Sequence, residues 1–208
     1  MSDQSLQFWF EFASTYSYPA AMRVERVAAA RGITVAWRPF LLAPIFGEQG
    51  WRDSPFNIYP VKGRYMWRDL ARICANEGLP LRHPSRFPRN GLLPARVAAA
   101  ATGEPWVPDF VRGVYTANFA EDREISEAAV VGDVLTRIGA DAAVWLARAQ
   151  EPAAKDRLRA DTEAAQAIGI FGAPSFVSGD ELFWGNDRLE DALDWHARDA
   201  RSAGTSAQ

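Results

Sequence analysis

Cysteine and histidine are scarce in this sequence. Its 208 residues include one cysteine and two histidines. Because Cys74 stands alone, an intrachain disulfide and a CxxC dithiol are both excluded, and the chain by itself cannot perform dithiol redox chemistry. His83 and His196 are far apart and have no neighbouring cysteine or acidic cluster, so no metal site is expected. We interpret Cys74, which lies in an amphipathic segment, as a small buried apolar residue.

An excess of positive charge and long apolar runs are also missing. Lysine and arginine number 23 against 26 acidic residues, which gives a net charge of −3. A nucleic-acid-binding surface needs a basic excess, so nucleic acid is not an expected partner. No apolar run approaches the roughly 18 residues of a membrane-spanning helix, and the N-terminus lacks the pattern of a signal peptide. We therefore expect a cytoplasmic protein without a membrane partner.

Apolar residues are abundant instead, and one stretch near the N-terminus organises the rest of the chain. Apolar residues make up 48% of the sequence, which is enough for a substantial core. From residue 8 to residue 12 the pattern alternates. Phe8, Phe10 and Phe12 share one side of an extended strand, and Trp9 and Glu11 share the other. The strand then leads into a polar turn and a helical pattern.

Two serines stand where that helix should begin. The hydroxyls of Ser14 and Ser17 can cap free backbone N–H groups at the helix N-terminus. The same geometry suits the binding of an anion, because the N–H groups of the first turn point outward and the helix dipole is positive there. The local sequence alone leaves both interpretations open.

The patterns along the rest of the chain predict an α/β fold. A strand–helix–strand unit comes first and indicates a parallel strand pair. The segment 39–60, rich in proline, glycine and aromatic residues, is predicted as a loop, and a block of helices follows it. A β-hairpin and a last helix close the chain. The predicted strands are 6–13, 33–38, 174–177 and 181–184, and the predicted helices are 16–31, 65–77, 92–102, 106–119, 125–138, 141–150, 152–168 and 189–198.

The order β-α-β, helical block, β-β-α is that of a thioredoxin-like fold. It predicts a four-stranded mixed sheet with a large all-helical insertion, and it says nothing about function. The predicted units are a discontinuous thioredoxin-like domain of residues 1–40 and 169–201, a connecting loop 41–60, a helical insertion 61–168 and a flexible tail 202–208.

Four segments of the sequence resemble one family of this fold. They are FASTYSY at 12–18, NIYPVKGRY at 57–65 with an Arg-Asp pair at 68–69, GLP at 78–80 followed by FPRN at 87–90, and GIFGAPSF at 169–176 leading to FWGNDRL at 183–189. Together they resemble the 2-hydroxychromene-2-carboxylate isomerases and the kappa-class glutathione transferases, over nearly the whole chain. One departure is Thr15, which stands where the family usually has proline.

The resemblance implies glutathione as the cofactor. In dithiol members of the fold, the position of Ser14 is the first cysteine of a CxxC motif, and a hydroxyl cannot exchange disulfides. The family borrows its sulfur from glutathione, so Ser14 would be the catalytic residue that donates a hydrogen bond to the glutathione thiolate. Ala173-Pro174 resembles the family's cis-proline bond, and the backbone of Ala173 would pair with the cysteinyl part of glutathione.

The resemblance also implies the remaining binding residues. Asp187, beside Asn186, would hold the γ-glutamyl end of glutathione, although this pair is equally typical of a helix cap. Lys62 would meet a carboxylate, or it is a solvated surface lysine, and Asn57 would bind substrate, or it is an ordinary loop asparagine. The implied glutathione-binding residues are Ser14, Ala173, Pro174, Trp184, Gly185, Asn186 and Asp187, and the implied substrate-binding residues are Asn57 and Lys62.

The implied reaction belongs to aromatic catabolism. It interconverts 2-hydroxychromene-2-carboxylate and trans-o-hydroxybenzylidenepyruvate by conjugate addition of the thiolate, rotation about the resulting single bond, and elimination. The substrate would be a small aromatic keto acid, and the chain would form a homodimer. Two alternatives stay open: a kappa-type glutathione transferase and a non-catalytic glutathione-binding module. The candidates for the aromatic wall of the pocket are Phe46, Trp51, Trp67 and Phe87.

Overall fold

Four strands form one mixed sheet in the computed structural model, which describes residues 5–205. β1 (Leu6–Phe10) pairs in parallel with β2 (Val35–Pro39) and antiparallel with β3 (Ser175–Ser178), and β3 pairs antiparallel with β4 (Glu181–Trp184). The strand order is therefore β2-β1-β3-β4. The predicted thioredoxin-like fold is confirmed, with small shifts in the strand bounds.

Each of the eight predicted helices is present. The helix that precedes Gly78 ends there because this glycine adopts a left-handed conformation, with φ of 66°. Asp141 caps the helix that follows it, since its side chain accepts a hydrogen bond from the N–H of Val144 (3.1 Å). The helices are α1 (Ser17–Ala29), α2 (Leu42–Glu48), α3 (Pro55–Ile58), α4 (Pro60–Glu77), α5 (Leu92–Ala100), α6 (Val107–Phe119), α7 (Ala128–Arg137), α8 (Ala142–Arg148), α9 (Pro152–Ala167) and α10 (Leu189–Thr205), preceded by a 3₁₀ turn at Asn186–Arg188.

The loop predicted for residues 39–60, and within it the connecting loop 41–60, is wrong in part. This segment contains α2 and α3, and α4 begins at Pro60 instead of residue 65. Three prolines of this segment, Pro44, Pro55 and Pro60, lie in the first turns of these helices, where a missing N–H removes no intrahelical hydrogen bond. Pro55 opens α3, and the side chain of Ser54 accepts from the N–H of Phe56 (3.3 Å) just before it. Proline here marks helix starts.

The sheet and the inserted helices share one large hydrophobic cluster. Phe8, Phe10 and Phe12 belong to it, and Phe12 packs against Tyr115 of α6 with ring centres 5.4 Å apart. Trp9 points to the other face, into a smaller cluster. The predicted alternation is therefore confirmed within β1, for Phe8, Trp9 and Phe10, because the two faces of the strand meet two different cores. The predicted place of Glu11 beside Trp9 is not confirmed, since the strand ends at Phe10.

The domain limits stay a prediction. One continuous core joins the thioredoxin-like part to the helices of the insertion. The limits 61–168 therefore describe the order of segments along the sequence and do not separate two hydrophobic cores. Of the predicted flexible tail 202–208, residues 202–205 continue α10, and residues 206–208 lie outside the described part of the chain.

A close approach between α3 and α4 makes Gly63 a sensitive position. A Cβ atom there would collide with the backbone carbonyl oxygen of Phe56. Alanine is the better helix former by about 1 kcal/mol, but the backbone contact cannot yield, so Gly63→Ala is expected to destabilise the protein by roughly 1–3 kcal/mol. The matched control is Gly47→Ala in α2, where a Cβ meets nothing within 4 Å. Urea unfolding of both variants measures the difference, and equal stabilities would contradict the packing of α3 on α4.

Candidate active site

A tight turn joins the end of β1 to the start of α1 and carries Ser14. The backbone N–H of Ser14 donates to the carbonyl of Glu11 (3.0 Å) and closes this turn. Ser14 Oγ accepts from the N–H of Ser17 (3.3 Å) and donates to the carbonyl of Ala173 (2.8 Å). The hydroxyl of Ser14 therefore caps the helix and also reaches the segment that precedes β3. The cap expected from the Ser17 hydroxyl is not formed, because α1 begins at Ser17 itself.

The segment around Ala173 lies directly against this turn. The Ala173–Pro174 bond is cis, as the resemblance implies. The carbonyl of Pro174 accepts from the N–H of Gly185 (2.9 Å), which brings the end of β4 to the same place. Trp184, next to Gly185, is 53% exposed and borders the site. Four predicted residues from three segments of the chain, with Ser14 among them, are thus connected by direct contacts.

The two predicted residues after Gly185 differ in their surroundings. Asn186 is buried, and its Oδ1 accepts from Nε of Arg23 (3.2 Å). Arg23 also pairs with Glu190, so the Asn186 side chain is used to tie α1 to the start of α10. Asp187 is exposed, with an Arg188 nitrogen 3.3 Å from its carboxylate. Sequence reasoning missed Arg23, although a lone arginine among the apolar positions of α1 was a usable signal.

Tyr16 connects the turn with α4. Its hydroxyl donates to the Asp69 carboxylate (3.1 Å). Burial raises the pKa of Tyr16, and the charge and the hydrogen bond of Asp69 raise it as well. Tyr65 and Asp187 make smaller contributions in the same direction. Tyr16 was quoted within a motif, but no role was predicted for it.

Asn57 and the predicted aromatic residues lie beyond Tyr16. The Asn57 side chain donates to the carboxylate of Asp53 (3.1 Å) and to the carbonyl of Phe87 (3.3 Å). Phe87 packs on Trp67 with ring centres 5.0 Å apart, and Phe46 packs on Trp51 at 5.5 Å. The four aromatic candidates therefore form two pairs, and Asn57 touches the first of them.

Lys62 is exposed near the start of α4. Its Nζ lies 5.1 Å from the centre of the Tyr59 ring, and the lysine precedes Asp69 by two turns on the same side of the helix. It therefore flanks the surface on which Tyr16 meets α4. Neither Lys62 nor Asn57 bonds directly to the Ser14 hydroxyl, whose hydrogen-bond partners are at Ser17 and Ala173.

Groups for metal or thiol chemistry are few. Over the described range 5–205, no group of three or more His, Cys, Asp or Glu side chains is placed to hold a metal ion. Within the same range, no helix is long and apolar enough to cross a bilayer. Cys74 is 1% exposed, and burial raises the pKa of its thiol from 9.0 to about 11, so it is a poor nucleophile.

Comparison with known proteins shows the family of this chain. The family model described as a DSBA-like thioredoxin domain matches residues 5–194. A 2-hydroxychromene-2-carboxylate isomerase of Pseudomonas putida is 30% identical over 186 residues, which cover 88% of this chain and 90% of that protein. The chain belongs to the 2-hydroxychromene-2-carboxylate isomerase family of DsbA-like proteins.

Two further similarities support this assignment. The structure of a 2-hydroxychromene-2-carboxylate isomerase superposes with a TM-score of 0.85 and 26% identity, covering 98% of this chain and 99% of that one. Glutathione S-transferase kappa 2 of Caenorhabditis elegans is 26% identical over 208 residues, covering 92% of this chain and 91% of that protein. The predicted isomerase family and its closeness to kappa transferases are confirmed.

Glu11 is a further residue of the candidate site, and the motifs assigned no role to it. It is buried, its Oε2 accepts from the N–H of Ala13 (2.9 Å), and its backbone carbonyl accepts from the hydroxyl of Tyr115 (2.8 Å). Burial raises the pKa of Glu11 from 4.5 to about 7, while hydrogen bonds from the backbones of Ala13 and Ser14 act in the opposite direction. The available signal was a single acid between two phenylalanines at the end of a strand.

The raised pKa of Glu11 predicts a specific dependence of stability on pH. The folded protein keeps this proton up to about pH 7, and the unfolded chain releases it near 4.5. The protonated Glu11 carboxyl therefore makes its full contribution to the free energy of unfolding below about pH 4.5. This contribution, roughly 3 kcal/mol, is lost as the pH rises through 7. Glu11→Gln does not titrate, so its stability relative to wild type should increase by up to that amount over the same window.

Urea unfolding at several pH values between these limits measures the effect. Glu104→Gln, at an exposed position between α5 and α6, is the control and should follow the wild-type curve. If wild type and Glu11→Gln changed in parallel with pH, the buried carboxyl would have an ordinary pKa and the prediction would be wrong.

Proposed function

We propose that this protein is a glutathione-dependent isomerase that interconverts 2-hydroxychromene-2-carboxylate and trans-o-hydroxybenzylidenepyruvate. The observation that carries the proposal is the hydrogen bond from Ser14 Oγ to the carbonyl of Ala173, the residue before the cis-proline. It sets a hydroxyl donor at the N-terminus of α1, beside backbone that can pair with a peptide. The names of the relatives support the reaction class.

The sulfur for such a reaction has to be borrowed. Cys74, the single cysteine of the sequence, is buried and has a raised thiol pKa, and the residue at the strand end is Ser14. A hydroxyl at this place can stabilise a thiolate without being able to form a disulfide. An external thiol therefore fits the site, and the kappa transferase relative points to glutathione.

The residues present fit glutathione at three points. Ser14 offers a hydroxyl for the sulfur, and its partly exposed neighbour Ala173 offers backbone groups for the cysteinyl unit. Asp187 offers an exposed carboxylate for the γ-glutamyl ammonium at the entrance to α10. Pro174 and Gly185 hold these segments together, and Trp184 borders them. Asn186 contributes by holding the backbone through Arg23, and a direct contact of its side chain with glutathione stays a prediction.

The protein's own groups bind glutathione, orient it and favour the ionised form of its thiol. Glutathione, when bound, supplies a thiolate that adds to the conjugated carbon of the substrate and leaves again after bond rotation. Ser14 turns its hydroxyl hydrogen from the Ala173 carbonyl to the sulfur, and the N-terminus of α1 adds its dipole. Both effects favour the charged form of the thiol, so they raise its ionised fraction near neutral pH.

The substrate is a small aromatic keto acid. Its aryl group would pack on the Trp67–Phe87 pair, which adjoins Asn57. Its carboxylate would pair with Lys62, whose exposed ammonium flanks the side of α4 that meets Tyr16. A homodimer, a cytoplasmic location and a place in aromatic catabolism stay predictions from the family resemblance.

A glutathione transferase of kappa type is the second candidate, favoured by the Caenorhabditis elegans relative. Product analysis separates the two functions. An isomerase converts the chromene acid and leaves the amount of free glutathione unchanged. Stoichiometric loss of glutathione with a sulfur-containing product would replace the isomerase proposal by the transferase.

Ser14→Ala is the decisive variant for the thiolate. A charge-assisted hydrogen bond contributes about 1.5–3 kcal/mol, so its loss should raise the pKa of bound glutathione by roughly one to two units and reduce turnover about 10- to 100-fold. Ultraviolet absorption of the thiolate as a function of pH measures the first effect. Ser126→Ala, on the exposed turn before α7, is the control. Unchanged thiolate absorption and turnover in Ser14→Ala would leave this serine only a helix cap.

Asp187→Asn tests the γ-glutamyl contact. Removing one partner of an exposed ion pair with a ligand should weaken glutathione binding by roughly 1 kcal/mol, about fivefold. Binding of the dipeptide cysteinylglycine, which lacks the γ-glutamyl group, should not change. Asp180→Asn, in the exposed β3–β4 turn, is the control. Equal losses for both thiols would assign Asp187 a structural role, and calorimetric titration distinguishes these results.

A further inference from the structure

Glu11 and Ser14 are the first and last residues of one β-turn. The N–H of Ser14 donates to the carbonyl of Glu11 (3.0 Å), and the Cα atoms of such a turn lie within about 7 Å of each other. The Glu11 carboxylate folds back into the turn and accepts from the N–H of Ala13 (2.9 Å). The turn that presents the Ser14 hydroxyl is therefore held from the inside by an acidic side chain.

Among residues 5–205, no lysine, arginine or histidine side chain forms an ion pair with this carboxyl. Tyr115 of α6 donates to the backbone carbonyl of Glu11, and Gly91, at the start of α5, packs so closely that a Cβ atom there would lie 3.2 Å from Glu11 Oε1. Arg89 is linked to the residue after Glu11 through Asn118. It donates to Asn118, and the Asn118 amide donates to the carbonyl of Phe12 (3.0 Å).

Arg89 is itself neutralised by two acidic groups. It is paired with Asp122, and its Nε lies 3.6 Å from a Glu124 oxygen. The charge of Glu11 is thus balanced mainly by backbone N–H groups, which agrees with its pKa of about 7. A carboxyl in this range can gain or lose its proton in response to a modest change in the charge beside it.

The proposed function, on which this inference rests, brings such a change. A thiolate at the Ser14 hydroxyl introduces a second negative charge at the same turn. Two negative charges close together in a partly buried site do not both ionise at neutral pH, and their titrations are coupled. The thiolate is the charge that Ser14 and the α1 N-terminus stabilise, so the proton moves to the other member of the pair.

We propose that Glu11 is the proton acceptor of this site: its carboxylate holds the Ser14 turn in the free protein and takes up a proton when a thiolate occupies the Ser14 hydroxyl. The balance is simple. The S–H bond is broken, the electron pair stays on sulfur, and one O–H bond forms on Glu11. The net charge of glutathione and the protein together does not change. In this proposal Glu11 does not touch the ligand: it responds to the charge of the thiolate through the Ser14 turn, and it is therefore a positioning residue.

Proton counting by calorimetry tests this exchange without reference to turnover. Glutathione is titrated into wild type and Glu11→Gln near neutral pH in two buffers with different heats of ionisation. Wild type should release fewer protons on binding than Glu11→Gln, by about half a proton at pH 7, because a carboxyl with a pKa of about 7 is half ionised there before glutathione binds. Glu11→Gln, which cannot accept one, should release up to about one proton per thiol that ionises.

The outcomes separate the two proposals. Equal proton release by wild type and Glu11→Gln, with glutathione bound by both, overturns the role of Glu11 and leaves the glutathione site intact. No binding of glutathione to wild type overturns the proposed function and this inference together. In Ser14→Ala, the thiol should bind without proton exchange, since the thiolate loses its donor.

A second measurement needs no substitution at Glu11. The amide proton of Ala13, which donates to the Glu11 carboxylate, reports its ionisation in an NMR titration of the wild-type protein. We expect a downfield shift with a midpoint near neutral pH, moving to higher pH when glutathione saturates the site. An unchanged midpoint overturns the proposal, even if Glu11→Gln does not fold.

Discussion

The antiparallel pairing of β1 with β3 is the constraint on which the rest of the site depends. Trp9 stands opposite Ser175, so the residues that follow β1 and those that precede β3 emerge at the same edge of the sheet. Ser14 and Ala173, 159 positions apart in the chain, meet there through one hydrogen bond of 2.8 Å. The parallel β1–β2 pair and α1 then fix the direction in which the serine hydroxyl points.

Two buried arginines hold the segments that surround this contact. Arg23 of α1 binds Asn186 through its side chain and backbone and pairs with Glu190, which anchors the junction between β4 and α10. Arg89 joins Asn118 and Asp122, and Asn118 holds the end of β1. Buried charges are costly unless they are fully bonded, so each guanidinium demands one arrangement of its partners. These ionic contacts therefore favour one arrangement of the segments around the site.

Local patterns predicted most of the architecture. Alternation in β1, glycine stops and the hairpin turn depend on neighbours along the chain, and each appears where the patterns place it. Proline misled the reading of residues 41–60, because the same residue that ends a helix also begins one, as Pro55 and Pro60 do. Asn186 was similarly ambiguous, because its side chain was compatible with glutathione binding and with a helix cap. In the structure the side chain binds Arg23, 163 positions away.

The sequence by itself determined the absence of dithiol chemistry, the order of strands and helices, and the serine at the end of the first strand. These follow from residue identity and from periodicity, which are local properties. Only the tertiary structure decided that Glu11 is buried within the Ser14 turn, that Arg23 binds Asn186, and that Asp187 remains exposed. Burial and electrostatic environment are sums over residues distant in the chain, so a carboxyl with a pKa near 7 becomes visible only when all its neighbours are in place.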